Sequence, residues 1–119
     1  MKTTKQHFKI FINECEKWIT KFELHNWTVV YEHKDLGNRN AQNAINALDH
    51  IATIGLTNEI DTCFERKMSF NEYIKSLAKH EVLHLLLGDM VDLAYNRYIQ
   101  EDELKICEES LVIKLSHIL

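Results

Sequence analysis

Between residues 5 and 24 the apolar side chains Phe8, Phe11, Ile12, Cys15, Trp18, Ile19 and Phe22 recur at steps of three and four. That spacing gathers them on one stripe of an amphipathic helix. Lysines and glutamates fill the opposite face, and this mixed charge predicts packing on a sheet rather than on a lipid surface. After His25-Asn26 the period changes. Trp27-Thr28-Val29-Val30-Tyr31 is β-branched and aromatic and predicts a strand, closed by the charged Glu32-His33-Lys34-Asp35 and a turn at Asp35-Leu36-Gly37-Asn38. Residues 41–48 and 51–56 read as a second and a third strand joined by a tight connection at Asp49-His50. The spacing of Ala41, Ala44 and Ala47 fits a short helix as well.

Residues 57–67 are mixed in character and read as a loop or an irregular edge. Ser69-Phe70-Asn71-Glu72 has the spacing of a capping box and sets the start of a helix. Tyr73, Ile74, Leu77, Ala78, Val82, Leu85 and Leu86 continue it to Gly88, a residue suited to the left-handed conformation that ends helices. Past His84 the pattern is apolar all round, which predicts deep burial of that half. Residues 89–98 predict another short helix, buried through Met90, Val91, Leu93, Ala94 and Tyr95. A final helix over 101–117 opens on Glu101-Asp102-Glu103, where the dipole favours acid, and carries the stripe Leu104, Cys107, Leu111, Val112, Leu115 and Ile118. The chain contains no proline, internal repeat or low-complexity tract.

Composition narrows the class. The 119 residues fit one domain over 1–119, with an ordinary globular balance of 45% hydrophobic and 27% charged residues. A formal charge of −4, spread along the chain, offers no basic patch for nucleic acid. The run Leu85-Leu86-Leu87 is far short of the roughly 20 apolar residues a membrane span needs. The amphipathic N-terminal segment lacks the apolar core of a secretion signal, so a cytoplasmic location is expected. Cys15, Cys63 and Cys107 form no close pair and read as reduced, mostly buried thiols.

The chemistry concentrates at His80-Glu81-Val82-Leu83-His84. Two histidines four apart lie one above the other on a helix and can hold one metal ion. Glu81 projects nearby, placed to take a proton from a metal-bound water. A catalytic Zn2+ needs a third protein ligand, and the final helix offers Glu108, read as lying within its core-facing stripe, with Glu109 about 100° away toward solvent as the alternative. A carboxylate on an apolar face is expensive unless a cation compensates it. The competing reading makes His80 and His84 core histidines bonded to backbone carbonyls and Glu81 a surface residue. His50, Tyr95 and Tyr98 are candidates to polarise a substrate carbonyl, with packing as their ordinary role.

The succession of a tryptophan-containing helix, a W-x-V-x-Y strand, a small sheet, HEVLHLLLGDMVDLA and a closing E-E-S-L-V-I-K-L helix resembles small phage- and prophage-encoded zinc metallopeptidases of the minigluzincin type. The resemblance covers nearly the whole chain and is most specific over residues 80–94. It implies a zincin-like minimal α+β domain: an N-terminal helix, a small mixed three-stranded sheet, the motif helix and C-terminal helices. It implies His80, His84 and Glu108 or Glu109 as zinc ligands, Glu81 as general base, and a peptide or protein substrate laid along a sheet edge, here expected near residues 51–56. The chain departs from thermolysin-like enzymes in one respect. Val112 or Ile113 stands where they place an acid that supports a ligand histidine, and loss of such support weakens metal binding or activity by about 10- to 100-fold.

Two functional classes follow. One is a zinc-dependent peptidase, probed by Glu81→Gln. The other is a non-catalytic, zinc-stabilised binding module acting on a phage or host regulatory protein. No coiled-coil repeat suggests self-association, so a monomer is expected.

Overall fold

The structure, a computed structural model, describes residues 1–60, 68–96 and 100–118. Helix α1 (Lys5–Lys21) precedes three strands, β1 (Thr28–Lys34), β2 (Ala41–Asn46) and β3 (Ile51–Thr57). Helices α2 (Phe70–Leu86), α3 (Gly88–Tyr95) and α4 (Glu101–Ser116) follow. The chain is therefore α+β, and residues 41–46 form a strand rather than the helix their alanines also allow.

Helix α1 starts at Thr4, whose hydroxyl accepts from the His7 amide while the His7 ring accepts from the Thr4 amide. It stops at Phe22 because Glu23 turns to a φ of 57°. Its buried stripe is Phe11, Cys15 and Ile19, and desolvation pushes the Cys15 thiol well above its ordinary pKa. Cys15 and Cys107 are both free thiols, the first buried and the second half-buried, while Cys63 lies outside the described residues.

Strand β1 runs on through Glu32-His33-Lys34, which the sequence reading treats as its charged end. Alternation explains this. Tyr31 and His33 turn toward α1, where the Tyr31 hydroxyl donates to Glu16 at 2.7 Å and His33 stacks on Phe8 at 4.9 Å, while Glu32 pairs with Lys34 at 3.1 Å. The Thr3 hydroxyl donates a hydrogen bond to the Thr57 carbonyl and is bonded by the His33 ring at 2.7 Å, so His33 ties the N-terminal segment to the end of β3. Burial, with His7 nearby, holds His33 below its ordinary pKa.

The sheet order is β1-β3-β2, with β1 parallel and β2 antiparallel to β3. The 51–57 segment is thus the central strand, and the expectation of a substrate-binding edge there is overturned by its pairing on both sides. Among the described residues the edge strand beside α2 is β2, unpaired on its outer side. Ala52, Ile54 and Leu56 of β3 are completely buried beneath the helices, and opposite them in register lie Ile45, Asn43 and Ala41 of β2. Gly37, at φ 69°, makes the expected turn before β2, and His50, at φ 53°, closes the β2–β3 connection.

Helix α2 begins with the capping box at Ser69 and Glu72, with both reciprocal bonds formed. Its buried stripe is Ile74, Ala78, Glu81, Val82 and Leu85, with Leu86 beside it. Past His84, Leu85 and Leu86 are buried as the composition predicts, and only the C-cap Leu87 is exposed. Gly88 does not end α2 in a left-handed turn; it opens α3, and an added Cβ there would meet Ile45 Cγ2 at 3.3 Å and Trp27 Cζ2 at 3.4 Å. Gly88 therefore permits close approach of α3 to β2 and Trp27.

Helix α3 ends at Tyr95, and residues 97–99, including Tyr98, lie outside the described set, as do 61–67 of the anticipated loop. Gly88 is the one buried residue of α3; Met90, Val91 and Tyr95, expected inside, are exposed. Helix α4 buries none of its residues. Leu111 and Leu115, with Ile118 beyond the helix, pack against the core, whereas Leu104, Ile106, Val112 and Ile113 face outward. No helix among the described residues is long and apolar enough to cross a membrane.

Candidate metal centre

Helical periodicity delivers the two motif histidines to one place. His80 Nε2 and His84 Nε2 are 3.2 Å apart, with the rings at 76°. Two nitrogens about 2.0–2.1 Å from one tetrahedral ion are about 3.3–3.4 Å apart, so the pair fits a single Zn2+. Both histidines are exposed, and their rings face each other rather than backbone carbonyls, unlike the core-histidine alternative.

Glu81 sits on a different face. About 100° round the helix from His80 and about 60° from His84, it falls on the buried stripe and is 5% exposed. Asn43 of β2 donates its side-chain amide to Glu81 Oε2 at 2.9 Å. Glu81 Oε1 has no hydrogen-bond partner among the described residues. No buried side-chain oxygen among them is left unpaired, so Oε1 reaches solvent. The motif helix therefore holds an anchored, largely buried carboxylate next to an exposed imidazole pair. Glu81 is not the surface residue of the competing reading.

Beside this lies a cleft of about 310 Å³ between the β2 edge and the α2–α3 corner. Asn43, Ile45, His84, Gly88, Val91 and Asp92 line it, together with Ala47 and Tyr95. His84 thus opens onto a mainly apolar groove that runs along the free strand. Tyr95 is on its rim and strongly exposed. His50 is not in it; its ring bonds Asp89 at 3.0 Å and stacks on Trp27 at 4.5 Å, which pins the β2–β3 turn to the start of α3.

The expected third ligand is not brought to the pair. Glu108 is exposed rather than buried, lying about 60° round α4 from Leu111, at the border of the face that packs. Glu109, also exposed, lines a shallow surface hollow with Glu23, Ile106 and Ile113. Among the described residues no group of three or more histidine, cysteine or acidic side chains is placed to hold a metal ion. The reason lies in α4, whose apolar residues are spread around the helix and define no single inward stripe. Its half-buried Cys107 lines a second cleft, of about 330 Å³, with Leu86, Asp89, Leu93 and Leu111, away from both histidines.

Asn43 and Asp92 were missed by sequence reasoning. Asn43 carried a signal, being the one polar residue between Ala41 and Ile45 on alternate, inward positions of a strand. No family model matches the chain, and neither a curated protein nor a solved structure is significantly similar to it.

Proposed function

We propose that the chain is a zinc-dependent peptidase of zincin-like architecture, and the 3.2 Å pairing of His80 and His84 beside the anchored Glu81 is the observation that supports it most. His80 and His84 would hold the ion. The resemblance implies Glu108 or Glu109 as the third ligand, the helix-face reading favours Glu108, and either needs α4 to carry it to the histidine pair. When bound, zinc supplies a Lewis acid that polarises a carbonyl and acidifies water.

The residues of the chain do the rest. Glu81 takes the proton as the water oxygen forms its bond to the peptide carbonyl carbon. It returns that proton to the amine nitrogen as the C–N bond breaks, so the carboxylate is regenerated. The exposed edge of β2, lying along the groove onto which His84 opens, is suited to an extended peptide pairing through its backbone. The apolar lining from Ile45 and Val91 suits an apolar substrate side chain.

Glu81→Gln tests this reading. The variant is expected to keep about the parent zinc content and to lose peptide cleavage by at least about a hundredfold, the scale of general-base catalysis. Cleavage at the parent rate would remove Glu81 from the chemistry. The second reading, a zinc-stabilised binding module, draws support from Val112 or Ile113 standing where thermolysin-like enzymes place the acid that supports a ligand histidine. Under it Glu81→Gln would leave the protein's effect on its partner intact.

A further inference from the structure

The inward face of the sheet is apolar at nearly every position next to Asn43. Ala41 and Ile45 flank it on β2, and the fully buried Ile54 lies opposite it on β3. Glu81 is likewise the one charged residue among the buried side chains of α2. Two polar groups set separately in apolar layers are unfavourable. These two meet, at 2.9 Å, through one defined pair of atoms, Asn43 Nδ2 and Glu81 Oε2.

The bond divides the carboxylate into two unlike oxygens. Oε2 is tied to the strand, and Oε1 has no hydrogen-bond partner among the described residues and reaches solvent. A carboxylate whose two oxygens were both free would rotate about its terminal torsion, which is broad and nearly two-fold. With Oε2 held, the orientation of Oε1 follows the position of β2.

We propose that Asn43 is a positioning residue for the proposed peptidase: its amide locks Glu81 Oε2 and so presents Oε1 as the oxygen that takes and returns the proton. The proposal rests on the reading of Glu81 as general base. It adds that the free-edge strand, suited to hold a peptide backbone, also orients the base, so substrate and base share one rigid reference.

The test compares the parent, Asn43→Leu, which keeps the volume without the donor, Asn43→Gln, which keeps an amide, and Glu81→Gln, each with zinc content measured. Asn43→Leu is expected to lower kcat about 10- to 100-fold, with KM within about threefold of the parent and zinc retained, and Asn43→Gln to recover part of the loss. A parent kcat in Asn43→Leu, with Glu81→Gln inactive, overturns the positioning role alone. Equal rates for the parent and Glu81→Gln remove the base itself, and the positioning role with it. A second measurement is independent of turnover and of how Asn43→Leu folds. The Asn43 side-chain amide resonances should shift and exchange faster in Glu81→Ala than in the parent, and resonances unchanged by Glu81→Ala would overturn the contact and the proposal together.

Discussion

Glu81 and His33 illustrate how single residues in this protein take their properties from the face they occupy. Glu81 follows Ile74 by seven and Ala78 by three, so helical spacing alone places it on the inward stripe. What the spacing does not contain is its partner, because Asn43 is 38 residues earlier and reaches it only through the β2–β3 register. His33 is the mirror case. It reads as part of a charged strand end, yet alternation turns it toward Phe8 and Thr3 and burial lowers its pKa. A depressed histidine binds fewer protons folded than unfolded, so its contribution to stability is fully present above the unfolded value of about 6.5 and is lost as pH falls below it. Denaturation midpoints measured between pH 7.5 and 5 should therefore decline in the parent and decline less in His33→Gln. Equal slopes would show that another group carries the acid sensitivity.

At the scale of elements, the parts with strong local signals were legible. The capping box at Ser69, the turn at Gly37 and the single stripe of α1 each place one element without help from the rest of the chain. Gly88 was misread because a glycine after a helix serves either a left-handed cap or close packing, and only the nearness of Ile45 and Trp27 decides between them. Gly88→Val should destabilise the protein by about 1–3 kcal/mol, the usual range for overpacking, as read by urea denaturation. The same variant should perturb the groove at His84, since the added methyl groups press on Ile45, which lines it. The placement of α4 was the least legible. Its apolar residues mark several faces, so periodicity does not select the one that packs, and with it went the expected burial of Glu108.

For the whole molecule, the proposed site joins parts held with unequal strength. The histidine pair and Glu81 stand on α2, which packs against α1 and the sheet through fully buried side chains, whereas α4 attaches through half-buried ones. If zinc bridges α2 and α4, its binding contributes to global stability. Free zinc at about a hundred times its dissociation constant should raise the unfolding free energy of the parent by about 2.7 kcal/mol. His80→Ala and His84→Ala should abolish that gain. Glu108→Ala should reduce it while Glu109→Ala leaves it near the parent value, and the reverse order would move the third ligand to Glu109.

The sheet order has a further consequence, for how the chain reaches this state. Strands β1 and β2 are made first but are not paired with each other; among the described strands each pairs with β3, the last of the three to leave the ribosome. Until residue 57 has emerged, neither has its partner, and the edge that later faces the groove is one of two open edges on β2. Pairing of β1 with β3 closes a loop that already contains β2, and nonlocal closure of this kind slows folding. A nascent chain stopped after β2 would thus display unpaired strand to any neighbour, and that exposure ends only once β3 is available to pair with both.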